Sequence, residues 1–144
     1  MFLYLDTSSL VKLYVEEAGT DQIVELVESS EITSTSLIAY AEAGAAFARR
    51  FRENAFSPDE YVRLKTTFDK DWNNYFILSV TGDLIKIAGD LSEKHALRAF
   101  DSIHLASAVT LRRELGMNIV FSCFDNNLIK ASQYEGLDQL AIIS

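Results

Sequence analysis

Apolar residues along the chain fall either in short continuous runs or in longer stretches repeating every three to four positions. Leu3-Tyr4-Leu5 is a run that stops at Asp6 and reads as a buried strand. Ile32-Thr33-Ser34, Tyr75 to Val80 and Ile119 to Ser122 read as further strands, and Leu140 to Ile143 as a last one. Helical patterns separate them. One leads from Ser8 to Tyr14, with Gly19 as a break, and another covers Asp21 to Ser29 through Ile23, Val24, Leu26 and Val27. A third, capped by Thr35 or Ser36, runs to about Asn54 with Leu37, Ile38, Ala41, Ala45 and Ala48 on one face. Ser57-Pro58-Asp59-Glu60 joins a capping serine, a proline at the first helical position and acids in the first turn, so a helix continues from it to about Asp71. Thr81 caps a helix to about Lys94, Ala99 to Leu115 forms another closed by Gly116, and Leu128 to Ser132 a short one. Apolar strands alternating with helices predict an α/β fold whose parallel sheet is covered on both faces. In such folds ligands bind beyond the carboxyl ends of the strands.

The chain has 144 residues, which fits a single domain over 1–144, with no repeat, low-complexity tract or linker. One cysteine, Cys123, excludes an internal disulfide and fits a reducing compartment. No apolar run approaches the roughly 18 residues a membrane span needs, and the start, Met1-Phe2-Leu3-Tyr4-Leu5-Asp6, lacks the basic region of a secretion signal. The expectation is a cytoplasmic protein with no membrane association. The net charge of −8 changes the picture again. Proteins that grip nucleic acid through side chains alone carry basic patches, and only Arg49-Arg50-Arg52 and Arg112-Arg113 cluster here. Either nucleic acid is not the ligand, or bound cations reverse the sign where it matters. A basic partner is a further option.

Four acids stand where chemistry is expected. Asp6 ends a strand and precedes Thr7-Ser8-Ser9, and Asp125 does the same before Asn126-Asn127; each has an ordinary explanation as a helix cap. Glu42 lies at the edge of an apolar stripe, four residues after Ile38, where its carboxylate either reaches solvent or needs a partner. Asp101 heads a stripe continued by Leu105 and Ala108, a poor place for aspartate unless it caps the helix. Two acids at strand ends and two near helix starts can share one rim of the sheet. Clustered carboxylates raise one another's pKa, and a divalent cation relieves that. Oxygen ligands favour Mg²⁺ or Mn²⁺. His95, His104 and Cys123 are too few for a usual zinc set, and no hydrolase serine arrangement surrounds either histidine.

At this point the chain resembles the PIN-domain family, and within it the VapC-type toxins of prokaryotic toxin–antitoxin pairs. The stretches that carry the resemblance are Tyr4 to Tyr14, Tyr40-Ala41-Glu42, Leu97 to Ala106 and Phe124 to Leu128, in family order across almost the whole chain. The resemblance implies a three-layer α/β/α sandwich with a mostly parallel central sheet. It implies an endoribonuclease dependent on one or two Mg²⁺ or Mn²⁺ ions held by Asp6, Glu42, Asp101 and Asp125, with products bearing a 5′ phosphate and a 3′ hydroxyl. Ser8, Lys12, Arg98 and His104 are accompaniments of such sites: Ser8 for a water or phosphate oxygen, Arg98 for phosphate or a ligand carboxylate, His104 for structural hydrogen bonding. Where the family often places a hydroxyl two residues before the last acid, this chain has Cys123, with Ser122 one place earlier. The implied partners are an RNA substrate, a cognate antitoxin that packs over the early helices, and a second copy in a homodimer. Tyr40, Phe47, Phe51 and Phe56 offer aromatic surface for such a partner, or plain helix packing. On this reading the arginine clusters steer the RNA backbone from outside the metal site. The alternative is a catalytically silent PIN-like binding module. Phosphoryl transfer through an aspartyl intermediate ranks lower, because Ser8 stands where a second acid is needed.

Overall fold

The computed structural model describes residues 1–139. In chain order the elements are β1 (Phe2–Leu5), α1 (Thr7–Val11), α2 (Thr20–Ser29), β2 (Ile32–Ser36), α3 (Ala39–Arg52), α4 (Pro58–Trp72), β3 (Phe76–Leu78), α5 (Gly82–His95), α6 (Ala99–Leu115), β4 (Ile119–Ser122) and α7 (Asn126–Tyr134). The strands form one sheet in the order β3-β2-β1-β4, and every pairing is parallel. Side chains alternate across a strand, so Tyr4 enters one core with α5, α6 and α7 while Leu3 and Leu5 enter the other with α1 to α4. The three-layer α/β/α sandwich with a parallel centre is therefore as expected.

Most boundaries follow their local signals. Ser57 and Glu60 form the reciprocal capping box at the start of α4, Thr81 caps α5 through Leu84 N–H, and Gly116 ends α6 in the left-handed region at φ +63°. The exception is the end of β2. Thr35 and Ser36 continue the strand instead of capping α3, which starts at Ala39 without a side-chain cap. The cause is across the ladder: Ser34 and Thr35 donate their hydroxyl protons to the Leu3 and Leu5 carbonyls, each at 2.7 Å, so these polar side chains are satisfied inside the sheet. β3 is shorter than the run Tyr75 to Val80 predicts, as befits an exposed edge. The strand expected at Leu140 to Ile143 lies outside the described residues; just before it, Asp138 bridges in parallel to Val120. No helix among the described residues is long and apolar enough to cross a membrane.

Candidate active site

The adjacent strands β1 and β4 set the site. Leu5 pairs with Ser122, and the Asp6 N–H donates to the Ser122 carbonyl at 3.1 Å, so Asp6 and Cys123 leave the sheet side by side. Asp6 caps α1: its Oδ1 accepts from Ser9 N–H at 2.9 Å and from the Ser8 hydroxyl at 2.7 Å. It is 5% exposed, and this burial pushes its carboxyl pKa upward against the opposing pull of His104 and the two serines. Asp125 caps α7 through Oδ1, which accepts from Leu128 N–H at 2.9 Å, and it is exposed. Capping and chemistry do not compete here, since capping occupies one oxygen of each carboxylate.

Glu42 lies in the first turn of α3, half-buried. Its Oε1 accepts from the Thr7 hydroxyl at 2.6 Å and lies 2.9 Å from His104 Nε2. Burial pushes this carboxyl up, but the hydrogen bonds from His104 and Thr7 outweigh it and hold the pKa below the usual glutamate value. Asp101 sits in the first turn of α6 behind Arg98, so it is not the cap; its Oδ2 lies 3.4 Å from Arg98 Nε and Nη2. Each of the four carboxylates thus has one oxygen bound by the protein. The second oxygen of each has no hydrogen-bond partner among the described residues.

Cys123, which follows β4 beside Asp6, is buried. Burial pushes its pKa up, and the charges of Asp6, Asp125 and Asp101 push it further in the same direction. Asp6 and Glu42 likewise act together on buried Tyr4. Among the described residues, no three His, Cys, Asp or Glu side chains close into a ready-made metal cage. Mg²⁺ does not need one: it is commonly held by one or two carboxylates, keeping waters and taking the remaining oxygens from substrate phosphates. An all-oxygen set with a free oxygen on every carboxylate fits that cation and not zinc.

The accompanying residues divide. Ser8 is exposed and joined to Asp6, and Arg98 is exposed and paired with Asp101. His104 is buried behind Glu42. Lys12 is not drawn to the acids: its ammonium pairs with Glu17 at 2.8 Å and lies over the Phe124 ring. Glu17 also holds Arg50 at 2.6 Å. Arg49 and Arg50 line an open cleft of about 510 Å³ that begins at Thr7 and Ser8. Arg112 and Arg113 lie in the last turn of α6, about 16 Å along the helix from Asp101 and outside the rim. Of the aromatic residues, Phe47 is buried and Phe51 and Phe56 stack on Tyr61, so helix packing accounts for them; Tyr40 keeps an exposed edge. Sequence reading missed Thr7 and Tyr4 as parts of the site, and Ser9, whose hydroxyl meets that of Ser122 at 2.9 Å and ties α1 to β4. Thr7 meets Glu42 across 35 positions, a contact no local pattern announces.

The family model of the PIN domain matches residues 3–133, and the chain belongs to the PIN-domain family. The resemblance read from the sequence is borne out. Ribonuclease VapC49 of Mycobacterium tuberculosis H37Rv is 30% identical over 109 residues, covering 76% of this chain and 76% of that protein. Among solved structures, M. tuberculosis VapC20, described as a Sarcin-Ricin loop cleaving toxin, superimposes with a TM-score of 0.66 at 18% identity, covering 96% of this chain and 98% of that one. A toxin-antitoxin complex from Klebsiella pneumoniae contains a chain that matches at a TM-score of 0.53 and 17% identity, covering 83% and 84%. At such identities the structures speak for the fold.

Proposed function

We propose that this PIN-domain protein is an endoribonuclease of the VapC toxin type, cleaving RNA phosphodiester bonds at the rim where Asp6, Glu42, Asp101 and Asp125 meet. The observation that carries the reading is the hydrogen-bonded frame that links the acids: β1 and β4 pair so that Asp6 leaves the sheet beside the chain leading to Asp125, Thr7 bonds Glu42, and Glu42 meets His104 one turn along α6 from Asp101. These aspartates and Glu42 would hold one or two Mg²⁺ or Mn²⁺ ions. Such an ion, when bound, polarises the scissile phosphate and lowers the pKa of a water that attacks it. The chain's own side chains do the rest. Thr7 and His104 keep Glu42 ionised and fixed. Ser8 presents an exposed hydroxyl beside Asp6, and Arg98 has a weakly held guanidinium that can meet a phosphate without leaving the rim. Arg49 and Arg50 stand along the cleft from Ser8, paired with Glu53 and Glu17, and can exchange those carboxylates for RNA phosphates.

The whole chain works as one such domain, in the cytoplasm, opposed by an antitoxin. Exposed Leu37, Tyr40 and Phe100 stand near the starts of α3 and α6, where a covering peptide would also close the acidic rim. A homodimer completes the assembly; gel filtration at high concentration should give twice the chain mass, and a clean monomer would count against it.

The test is end mapping on total RNA with Mn²⁺. Wild type should leave 5′ phosphates and 3′ hydroxyls. Asp101→Asn should lower the cleavage rate on the order of a thousandfold, the scale of several kcal/mol of lost charge stabilisation. Undiminished metal-dependent cleavage by that variant would remove Asp101 from the site. A folded wild type that binds neither ion and leaves RNA intact would favour the silent binding module.

A further inference from the structure

Behind the acidic rim runs a chain of polar groups buried more deeply than packing requires. Tyr4, in the centre of β1, is 0% exposed, and His104, in the middle of α6, is 2% exposed. The phenol oxygen lies 2.8 Å from His104 Nδ1. The opposite ring nitrogen, Nε2, lies 3.0 Å from Thr7 Oγ1 and 2.9 Å from Glu42 Oε1. Thr7 gives its own proton to Glu42 at 2.6 Å, so towards His104 it can only accept. Nε2 must therefore carry a proton, shared between Thr7 and Glu42. The phenol meets Nδ1 at hydrogen-bond distance, with the Ser107 and Thr35 hydroxyls also against it, and a phenol that donates to Nδ1 leaves that nitrogen bare. The path joins β1, α6, α1 and α3, and every bond that reaches Glu42 ends on the same oxygen.

We propose that Tyr4 locks His104 as its Nε2–H tautomer, and that His104 with Thr7 positions Glu42 so that Oε2 is offered to the acidic rim. His104 is a positioning residue; it acts through Glu42 and touches no substrate. The proposal rests on the functional reading above and deepens it by assigning the glutamate's orientation to a buried relay. Side chains of this kind, behind a ligating group, typically contribute about 10–100-fold to metal affinity or activity. A histidine needed only to fill the core would be served as well by an apolar side chain, since buried polar groups cost stability unless they are paired.

The test compares wild type with His104→Ala, His104→Gln and Tyr4→Phe, reading Mn²⁺ affinity by electron paramagnetic resonance and RNA cleavage on the fraction that unfolds cooperatively. His104→Ala should weaken Mn²⁺ binding about tenfold and lower kcat by about 10–100-fold, with KM for RNA little changed. His104→Gln can place an amide N–H near the position of Nε2 and should recover most of the loss. Tyr4→Phe should give a smaller loss in the same direction. In wild type, the proton–nitrogen NMR correlations of the imidazole should show Nε2–H and a bare Nδ1, a readout that needs no variant to fold. An Nδ1–H tautomer would overturn the lock, and a folded His104→Ala with wild-type Mn²⁺ affinity and kcat would overturn the positioning role. In both cases an active, Mn²⁺-binding wild type would leave the ribonuclease reading standing. A wild type without Mn²⁺ binding or cleavage would overturn both.

Discussion

Asp6→Asn should abolish RNA cleavage and, in the metal-free protein at neutral pH, raise the melting temperature. The two effects have one cause. Asp6 is held where water is scarce, and burial pushes its pKa above the ordinary aspartate value. The sign follows from linkage. A carboxyl whose folded pKa is raised favours folding below its unfolded pKa, and that contribution is lost as pH rises through the folded value. At neutral pH the ionised Asp6 therefore works against the fold. Asparagine is uncharged throughout, and its Oδ1 still accepts from Ser9 N–H and the Ser8 hydroxyl, so the cap of α1 survives. Every kcal/mol relieved corresponds to about 2–4 °C in a chain of this size. The gap between variant and wild type should close as the solution is acidified through the raised pKa. Added Mg²⁺ should reverse the order. Wild type gains about 2.7 kcal/mol when the ion is at a hundredfold its Kd, while the variant, missing a carboxylate, gains far less. The loss of cleavage is expected to be on the order of a thousandfold or greater. Calorimetry of both proteins in chelator and in Mg²⁺, over a pH series, measures all of this. A variant that melts below wild type at neutral pH without metal would show that Asp6 is no burden to the fold.

That trade of stability for function was partly legible in the sequence. A strand that stops on an acid, next to small polar residues, marks both Asp6 and Asp125, and the structure pairs the two strands in parallel at one side of the sheet. Helix boundaries were legible wherever a single local interaction decides them, as with Ser57 and Glu60 or with Gly116. The end of β2 was not, because Ser34 and Thr35 spend their hydroxyls on carbonyls of β1 about 30 positions away. The same limit hid the surroundings of Glu42. Its partners are set by how α1, α3 and α6 converge, and the Glu42–His104 pair spans 62 positions. Periodicity places Glu42 at the edge of a stripe and says nothing of what waits there. Asp101 was legible as an acid at the head of an apolar stripe, and the structure shows why it stays: Arg98 pairs with it and it is not fully enclosed.

Phe68→Ala should be the most destabilising single substitution in the layer that carries Glu42, costing about 3–5 kcal/mol. Phe68 lies in α4, 3% exposed, and its ring meets four others. Tyr14 and Phe47 approach edge-on with centroids at 5.1 and 5.3 Å, while Tyr40 and Trp72 lie tilted at 5.5 and 5.7 Å. Phe47 and Tyr40 belong to α3, and Tyr14 follows α1, so this one ring joins α4 to both helices that frame the acids. Truncation leaves a cavity walled by rigid rings, which relax poorly, and removes edge-to-face contacts worth about 0.5–1.5 kcal/mol each beyond the area buried. Against a total stability of roughly 5–15 kcal/mol for a domain, the loss is large. In urea the midpoint should fall by about 1 M or more, with the slope of the transition unchanged. Activity gives the contrasting measurement. Glu42 is held to α6 by His104 and to α1 by Thr7, neither of which touches Phe68, so the cleavage rate per folded molecule should stay near wild type. Phe68→Leu, which restores much of the volume, should recover a good part of the stability. A cost below about 1 kcal/mol for the alanine variant would mean that α4 is not anchored through this cluster. A variant that stays folded yet loses cleavage would mean that α3 depends on α4, and not on His104 and Thr7, to hold Glu42 in place.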